Sequence, residues 1–318
     1  MYTTLIQVTE LDALMKSAAP VVVLDCRHEL SRPEWGDHAY AEGHIPTALQ
    51  AHLDRDLSSP ITADSGRHPL PDVTKFAQTL SRWGIDNTVQ VVAYDQGNGV
   101  YAARAWWLLR WMGHTGVAVL DGGFAAWQEA GLPMGREPGG HDSGSGDADR
   151  RDPGVTTPRR FVPHIENRAA LSTAEVQQAL ARGDVALIDA RGADRFAGEN
   201  ETIDPVAGHV PGASNRPFSK NVDSRGRFLP AEELRRQWTA ALASGDAATR
   251  DSAGSGSASS DSVRRDASQV VAMCGSGVSA CHNLLALEIA GLSGARLYPG
   301  SWSEWIRDPR RPIARGPA

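Results

Sequence analysis

The chain has 318 residues, 41% hydrophobic and 22% charged, which accommodates two domains with cores of ordinary size. A net charge of −6 provides no global basic field and argues against nucleic acid or an anionic membrane as partner. No apolar run approaches the roughly 18 residues of a membrane span, and the N-terminus has no basic region followed by a long apolar core. Cys26, Cys274 and Cys281 form neither a disulfide framework nor a metal set. The expectation is a cytoplasmic protein that needs no metal or organic cofactor.

In chain order, Thr9 to Asp12 has the spacing of a helix cap, and Val21 to Asp25 is a β-branched run that predicts a strand. Gly43-His44-Ile45-Pro46 follows, then a second apolar strand over Val89 to Tyr94 that ends at Asp95. After the Gly99-Val100 pair comes an apolar helix, and Val117 to Trp127 gives a third strand running into Gly-Gly-Phe. The same order then recurs: the cap Ser172 to Glu175, the strand Val185 to Asp189, Gly208-His209-Val210-Pro211, and the strand Gln269 to Met273 ending at Cys274. Gly277-Val278, a helix from His282 to Ala290 and the Ala295 to Trp305 segment complete the second copy. Two copies of strand, loop and helix predict an α/β protein made of two doubly wound domains, each a mostly parallel sheet flanked by helices. The expected boundaries are 1–134 for the first domain and 165–318 for the second. Residues 135–164, rich in Gly, Asp, Ser, Arg and Pro, read as a linker, and 244–268 as a disordered insertion of Ser, Ala, Gly and Asp.

The chemistry centres on Cys274-Gly275-Ser276-Gly277-Val278-Ser279, where an apolar strand meets a small-residue loop and then a helix. Successive backbone N–H groups in such a loop converge on the sulfur and stabilise a thiolate. A buried structural cysteine is the competing reading. The first copy has Asp95 at the matching position, so only the second retains a sulfur nucleophile. Cys26 and Cys281 read as core cysteines, and Trp302 and Trp305 as interior residues or pocket borders.

The tandem order, the two Gly-His-x-Pro stretches, the Gly-x-x-x-x-Trp endings and the cysteine loop resemble the rhodanese-type sulfurtransferases. The loop is similar to the Cys-Gly-Ser-Gly-Val-Thr of those that act on 3-mercaptopyruvate, whereas thiosulfate-preferring members usually carry Cys-Arg-Lys-Gly-Val-Thr. The resemblance implies a persulfide on Cys274, substrate contacts from Gly275, Gly277, Val278 and Ser279, and Ser276 as a proton relay. It also implies that His44 serves that relay, with Asp37 as its acid, while His209 holds its own domain's loop. Arg195 matches the family's substrate-anchoring arginine, a salt bridge to Asp189 or Asp194 being its alternative role. Arg191 reads as structural. Animal homologues place a second arginine before the Gly-His-Ile-Pro stretch, but Glu199 to Gly208 contains none, so either another cation substitutes or the donor differs.

The resulting expectation is a ping-pong transfer from 3-mercaptopyruvate through Cys274 to a thiol acceptor such as thioredoxin, or to cyanide. The alternatives are a thiosulfate:cyanide sulfurtransferase, which the uncharged loop disfavours, and a non-enzymatic sulfur carrier or docking module. A phosphatase would need an arginine closing the loop, where Ser279 and Ala280 stand.

Overall fold

The apolar runs form short strands buried on both faces, and the helices between them cover those faces. The computed structural model describes residues 1–136, 158–248 and 266–317, with side chains omitted for 244–248. Two compact units emerge. The N-terminal unit comprises Met1–Ser59, Leu70–Glu166 and Ser224–Arg227; the C-terminal unit comprises Pro60–Pro69, Asn167–Asp223 and Phe228–Ala318.

In the N-terminal unit the elements are β1 (Leu5–Ile6), α1 (Val8–Met15), β2 (Val21–Asp25), α2 (Trp35–Glu42), β3 (Leu49–Gln50), α3 (Val73–Arg82), β4 (Gln90–Tyr94), α4 (Val100–Trp111), β5 (Val117–Leu120) and α5 (Gly123–Glu129). The strands pair in parallel in the order β1-β5-β4-β2-β3. Val23 and Val92, at the centre of this sheet, are essentially inaccessible, as continuous apolar runs in a parallel sheet require. The first helix is capped two residues earlier than expected: Glu10 accepts the N–H of Gln7, so the box closes on Gln7 rather than Thr9.

The C-terminal unit contains α6 (Thr173–Arg182), β6 (Ala186–Asp189), α7 (Ala193–Ala197), β7 (Ser214–Asn215), α8 (Ala231–Ala248), β8 (Val270–Met273), α9 (Ser279–Ile289), β9 (Arg296–Leu297) and α10 (Ser301–Trp305). Its strands are likewise parallel, in the order β7-β6-β8-β9. Here the Ser172–Glu175 box forms where the sequence places it. The helix after the cysteine loop starts at Ser279, three residues before the expected His282, so its first turn abuts the loop.

Segments expected to be irregular behave differently. Helix α8 continues to Ala248, and Ala267–Gln269 forms a short 3₁₀ turn capped by Asp266; 249–265 lie outside the described residues. Of the expected linker, 137–157 also lie outside them. Its last residues pack on the N-terminal unit, where Arg159 and Phe161 bond to Ser81 and His164 bonds to Met112. Pro60–Pro69, inside the 1–134 span expected for the first domain, belongs to the C-terminal unit. It lies against the Gly300–Ser303 turn because Gly66 has no side chain: a Cβ there would come within 2.7 Å of Gly300 O.

Both sheets end on the same device. Asp25 forks onto Arg27, whose Nη2 also donates to Gly43 O at 2.7 Å; Asp189 forks onto Arg191, whose Nη2 donates to Gly208 O at 2.8 Å. The guanidinium groups lie over Phe124 and Trp302 respectively. Each pair therefore ties a strand end to the Gly-His-x-Pro stretch of its own unit. Both Asp189 and Arg191 are buried, so removing one partner strands the other charge. Asp189→Ala is expected to destabilise the C-terminal unit by about 3–5 kcal/mol. The measurement is the urea midpoint followed by tryptophan fluorescence, and an unchanged midpoint would refute the role assigned to this pair.

Candidate active site

Strand β8 delivers Cys274 to the carboxyl edge of its sheet, where the residue is only 2% exposed. The loop turns back at Gly277, which has φ of 78° and no room for a side chain, since a Cβ would meet Pro299 O at 2.5 Å. This turn aims the Gly277 N–H at Cys274 Sγ, 3.2 Å away. A donor fixed on the sulfur stabilises negative charge developing there. Main-chain bonds fix the cysteine itself: its carbonyl accepts from Trp302 N at 3.0 Å, and Gly275 O accepts from Ser303 N at 2.9 Å.

The N-terminal unit repeats this arrangement with a carboxylate. Asp95 accepts backbone N–H groups from Gly97, Gly99 and Tyr101 at 2.9–3.0 Å, and its carbonyl accepts from Phe124 N. Burial raises the Asp95 carboxyl above its ordinary range, and the converging amides only partly oppose this. The first copy thus fills its own anion cradle with a side chain. A cavity of about 610 Å³ in that unit is bordered by Arg27, Gln96 and Phe124, with no cysteine in its lining.

Ser276 Oγ lies 2.7 Å from Nδ1 of His68, and both residues are buried. The expectation placed His44 in this position. Instead, His44 Nδ1 faces Tyr40 O at 2.9 Å and its ring stacks on Tyr40. His209 repeats that arrangement with Phe196, and each histidine also makes a two-bond backbone bridge, to Gly135 and Ala314 respectively. The Gly-His-x-Pro histidines are therefore equivalent scaffold residues. Asp37 is likewise engaged elsewhere, with Arg55 and Gln50.

The Arg195 guanidinium pairs with Glu201 at 2.8 Å and Asp204 at 3.1 Å rather than with Asp189, and from Arg195 the Asp194 carboxylate accepts only the main-chain N–H, at 2.8 Å. Asp204 also binds Arg67, a residue to which the sequence analysis assigned no role. Both guanidinium groups reach the cysteine loop. A Cβ on Gly275 would stand 2.8 Å from Arg67 Nη2 and 3.7 Å from Arg195 Nη2. The two arginine side chains are 23% and 20% exposed, whereas those of Asp204 and Glu201 are 2% exposed. The acids therefore hold the cations from beneath, and the cations keep an open face. Burial raises the Asp204 carboxyl against the pull of Arg67. For Glu201 burial acts in the same upward direction, but hydrogen bonds from Arg195 and the backbone outweigh it and lower the group.

Val278 is buried ahead of α9, and Ser279 is half-buried as its first residue. Cys281 is fully buried with its thiol on Gly277 O, and Cys26 is buried, with burial raising its thiol well above the ordinary range. Trp302 and Trp305 are interior, each bonding a backbone carbonyl through its indole. His28, His52 and Asp54 bring ligand atoms within 4.8 Å of one another. However, His52 Nδ1 accepts backbone N–H groups and its Nε2 faces Pro33 O, which makes a poor metal ligand. Among the described residues no helix is long and apolar enough to cross a membrane.

A model of the rhodanese-like domain matches residues 7–130 and again 172–308. The chain is 45% identical over 302 residues to the "Probable 3-mercaptopyruvate sulfurtransferase" of Pseudomonas aeruginosa, with 94% of each chain covered. It is 36% identical over 317 residues to the "Putative thiosulfate sulfurtransferase SseB" of Mycobacterium tuberculosis, covering 99% of this chain and 98% of that one. Among solved structures, 3-mercaptopyruvate sulfurtransferase from Leishmania major matches with a TM-score of 0.74 at 28% identity, covering 95% of this chain and 74% of that one.

Proposed function

This chain belongs to the rhodanese family, and on that premise we propose that it transfers sulfur from 3-mercaptopyruvate through a persulfide on Cys274. The observation that carries the reading is the convergence of Arg67 and Arg195 on Gly275, next to the cysteine. Two partly open guanidinium groups suit a carboxylate, and they supply the second cation that the Glu199–Gly208 stretch lacks.

In the proposed reaction the Cys274 thiolate attacks the donor's sulfur. The carbon–sulfur bond breaks, its electron pair leaves on the enolate of pyruvate, and the enolate carbon takes a proton relayed through Ser276 and His68. The product is the Cys274 persulfide, whose outer sulfur can ionise against the loop amides. Gly275 and Gly277 keep the loop open to the cations and to the sulfur, while Val278 and Ser279 border the entry to α9. An acceptor thiolate then attacks the outer sulfur and regenerates the Cys274 thiolate. A reduced thioredoxin in the cytoplasm is the acceptor we favour, with cyanide serving in vitro.

Thiosulfate is the second reading, favoured by the name of the Mycobacterium tuberculosis relative and by the two cations over the loop. The loop carries no cation of its own, but Arg67 and Arg195 bring two to it, so the loop residues alone do not set the donor. Charge balance favours the monoanion. Arg67, Arg191 and Arg195 are matched by Asp189, Glu201 and Asp204, so a dianion beside a thiolate brings more unmatched charge than a monoanion.

Incubation with 3-mercaptopyruvate is expected to add about 32 Da, one sulfur, to the intact protein, and Cys274→Ser to abolish the adduct. An adduct that survives this substitution would remove Cys274 from the mechanism. His68→Asn is expected to lower kcat about a hundredfold with little change in KM, and Arg67→Met to raise KM for mercaptopyruvate about tenfold. Steady-state kcat/KM on both donors decides between them, with mercaptopyruvate expected to win. Asp204→Asn, which removes one negative charge beneath the arginines, is expected to shift the ratio toward thiosulfate by about tenfold.

A further inference from the structure

Ser301 is one of two non-glycine residues in the described chain with a left-handed backbone, at φ of 53°. The other, Thr47, is an exposed turn residue, whereas Ser301 is fully buried with both hydrogen-bonding functions of its hydroxyl in use. Its Oγ accepts the Cys274 N–H at 3.1 Å and donates to Tyr298 O at 2.9 Å. A left-handed conformation disfavours any residue with a Cβ, so a serine held there needs a compensating contact.

The duplicated fold provides the control. Gly123 holds the same place in the N-terminal unit with nearly the same backbone, φ of 56°. Around it the same two main-chain bonds recur: Phe124 N to Asp95 O and Ala125 N to Gln96 O, matching Trp302 N to Cys274 O and Ser303 N to Gly275 O. Glycine therefore suffices to build this turn. In that unit a Cβ on Gly123 would fall 2.5 Å from Asp95 O, so a serine would not fit. The strained serine occurs only in the copy that carries the cysteine, and its hydroxyl contacts that cysteine's own amide.

We infer that Ser301 is a positioning residue for the nucleophile: by accepting the Cys274 N–H it fixes the main chain that aims Sγ at the Gly277 N–H. With Ser301 Oγ on its nitrogen and Trp302 N on its oxygen, both backbone polar groups of Cys274 are anchored to one turn. The sulfur then has a single setting against its donor. Ser301 touches neither donor nor acceptor, and its effect passes entirely through Cys274. The inference rests on Cys274 being the nucleophile and is independent of which donor it serves.

The test compares Ser301→Gly, which relieves the strain and removes the acceptor, with Ser301→Ala, which keeps the strain and removes the acceptor. Glycine is what the N-terminal unit uses at this position, so the first variant is expected to fold with a Tm close to that of the native chain and above that of the alanine variant. Both are expected to slow iodoacetamide alkylation of Cys274, followed by peptide mass, by the same three- to tenfold factor (about one hydrogen bond). Both are also expected to lower kcat while leaving KM for mercaptopyruvate unchanged. A glycine variant that alkylates at the native rate, or rates that follow Tm across the two variants, would overturn the inference. Native protein in which Cys274 does not alkylate would sink the nucleophile reading itself, before either variant is compared.

Discussion

The reactive unit depends on how one parallel strand ends. Beyond Met273 the chain has left its ladder, and the amide and carbonyl of Cys274 must find partners in a buried place. Both find them in the Tyr298–Ser303 turn, and that turn in turn carries Trp302 against Arg191 and Ser303 against Arg67. Cys274, Arg191 and Arg67 are thus referenced to one short piece of backbone. A small displacement of this turn would move all three together.

The duplication separates scaffold from chemistry. Features present in both units, namely the Asp-x-Arg forks, the stacked Gly-His-x-Pro histidines and the closing tryptophans, hold strand ends and loops in place. The features that argue for reactivity occur once among the described residues: Cys274, Ser276 with His68, the pairing of Arg195 and Arg67 through Asp204, and Ser301. Asp95 fits the same logic, because a carboxylate in the cradle satisfies the converging amides permanently and leaves no group to react.

The sequence made the strands, the repeat and the cysteine loop legible, because these are local patterns: β-branched runs, capping boxes and glycines at a strand end. Periodicity also mislocated the start of α9, since the small residues at Ser279 and Ala280 carry no apolar signal although they are helical. His68 and Arg67 were not legible. They lie in a segment without periodicity, 208 residues before Ser276 and 137 before Asp204 respectively, and nothing local marks that segment as part of the C-terminal unit. His44 drew the assignment because its motif stands out, yet a motif repeated in both halves is the mark of a structural role. The discriminating signal is a histidine without a counterpart: Gly66-Arg67-His68 reads against Gly226-Arg227-Phe228 in the second copy, so the arginine is matched and the histidine is not.

The loop's lack of charge also takes on a different meaning in three dimensions. Read along the chain, Gly275 and Ser276 are positions where a cationic residue is missing. In the fold, a side chain at 275 would occupy the space where Arg67 approaches, so a loop cation and Arg67 are alternative solutions to one problem. A cation carried by the loop moves with the nucleophile and answers only to solvent. One delivered by Arg67 is held from below by Asp204, which also holds Arg195, so position and net charge are set by the same buried carboxylate. That coupling makes selectivity between a carboxylate-bearing donor and an inorganic dianion a property of residues distant in sequence from the cysteine.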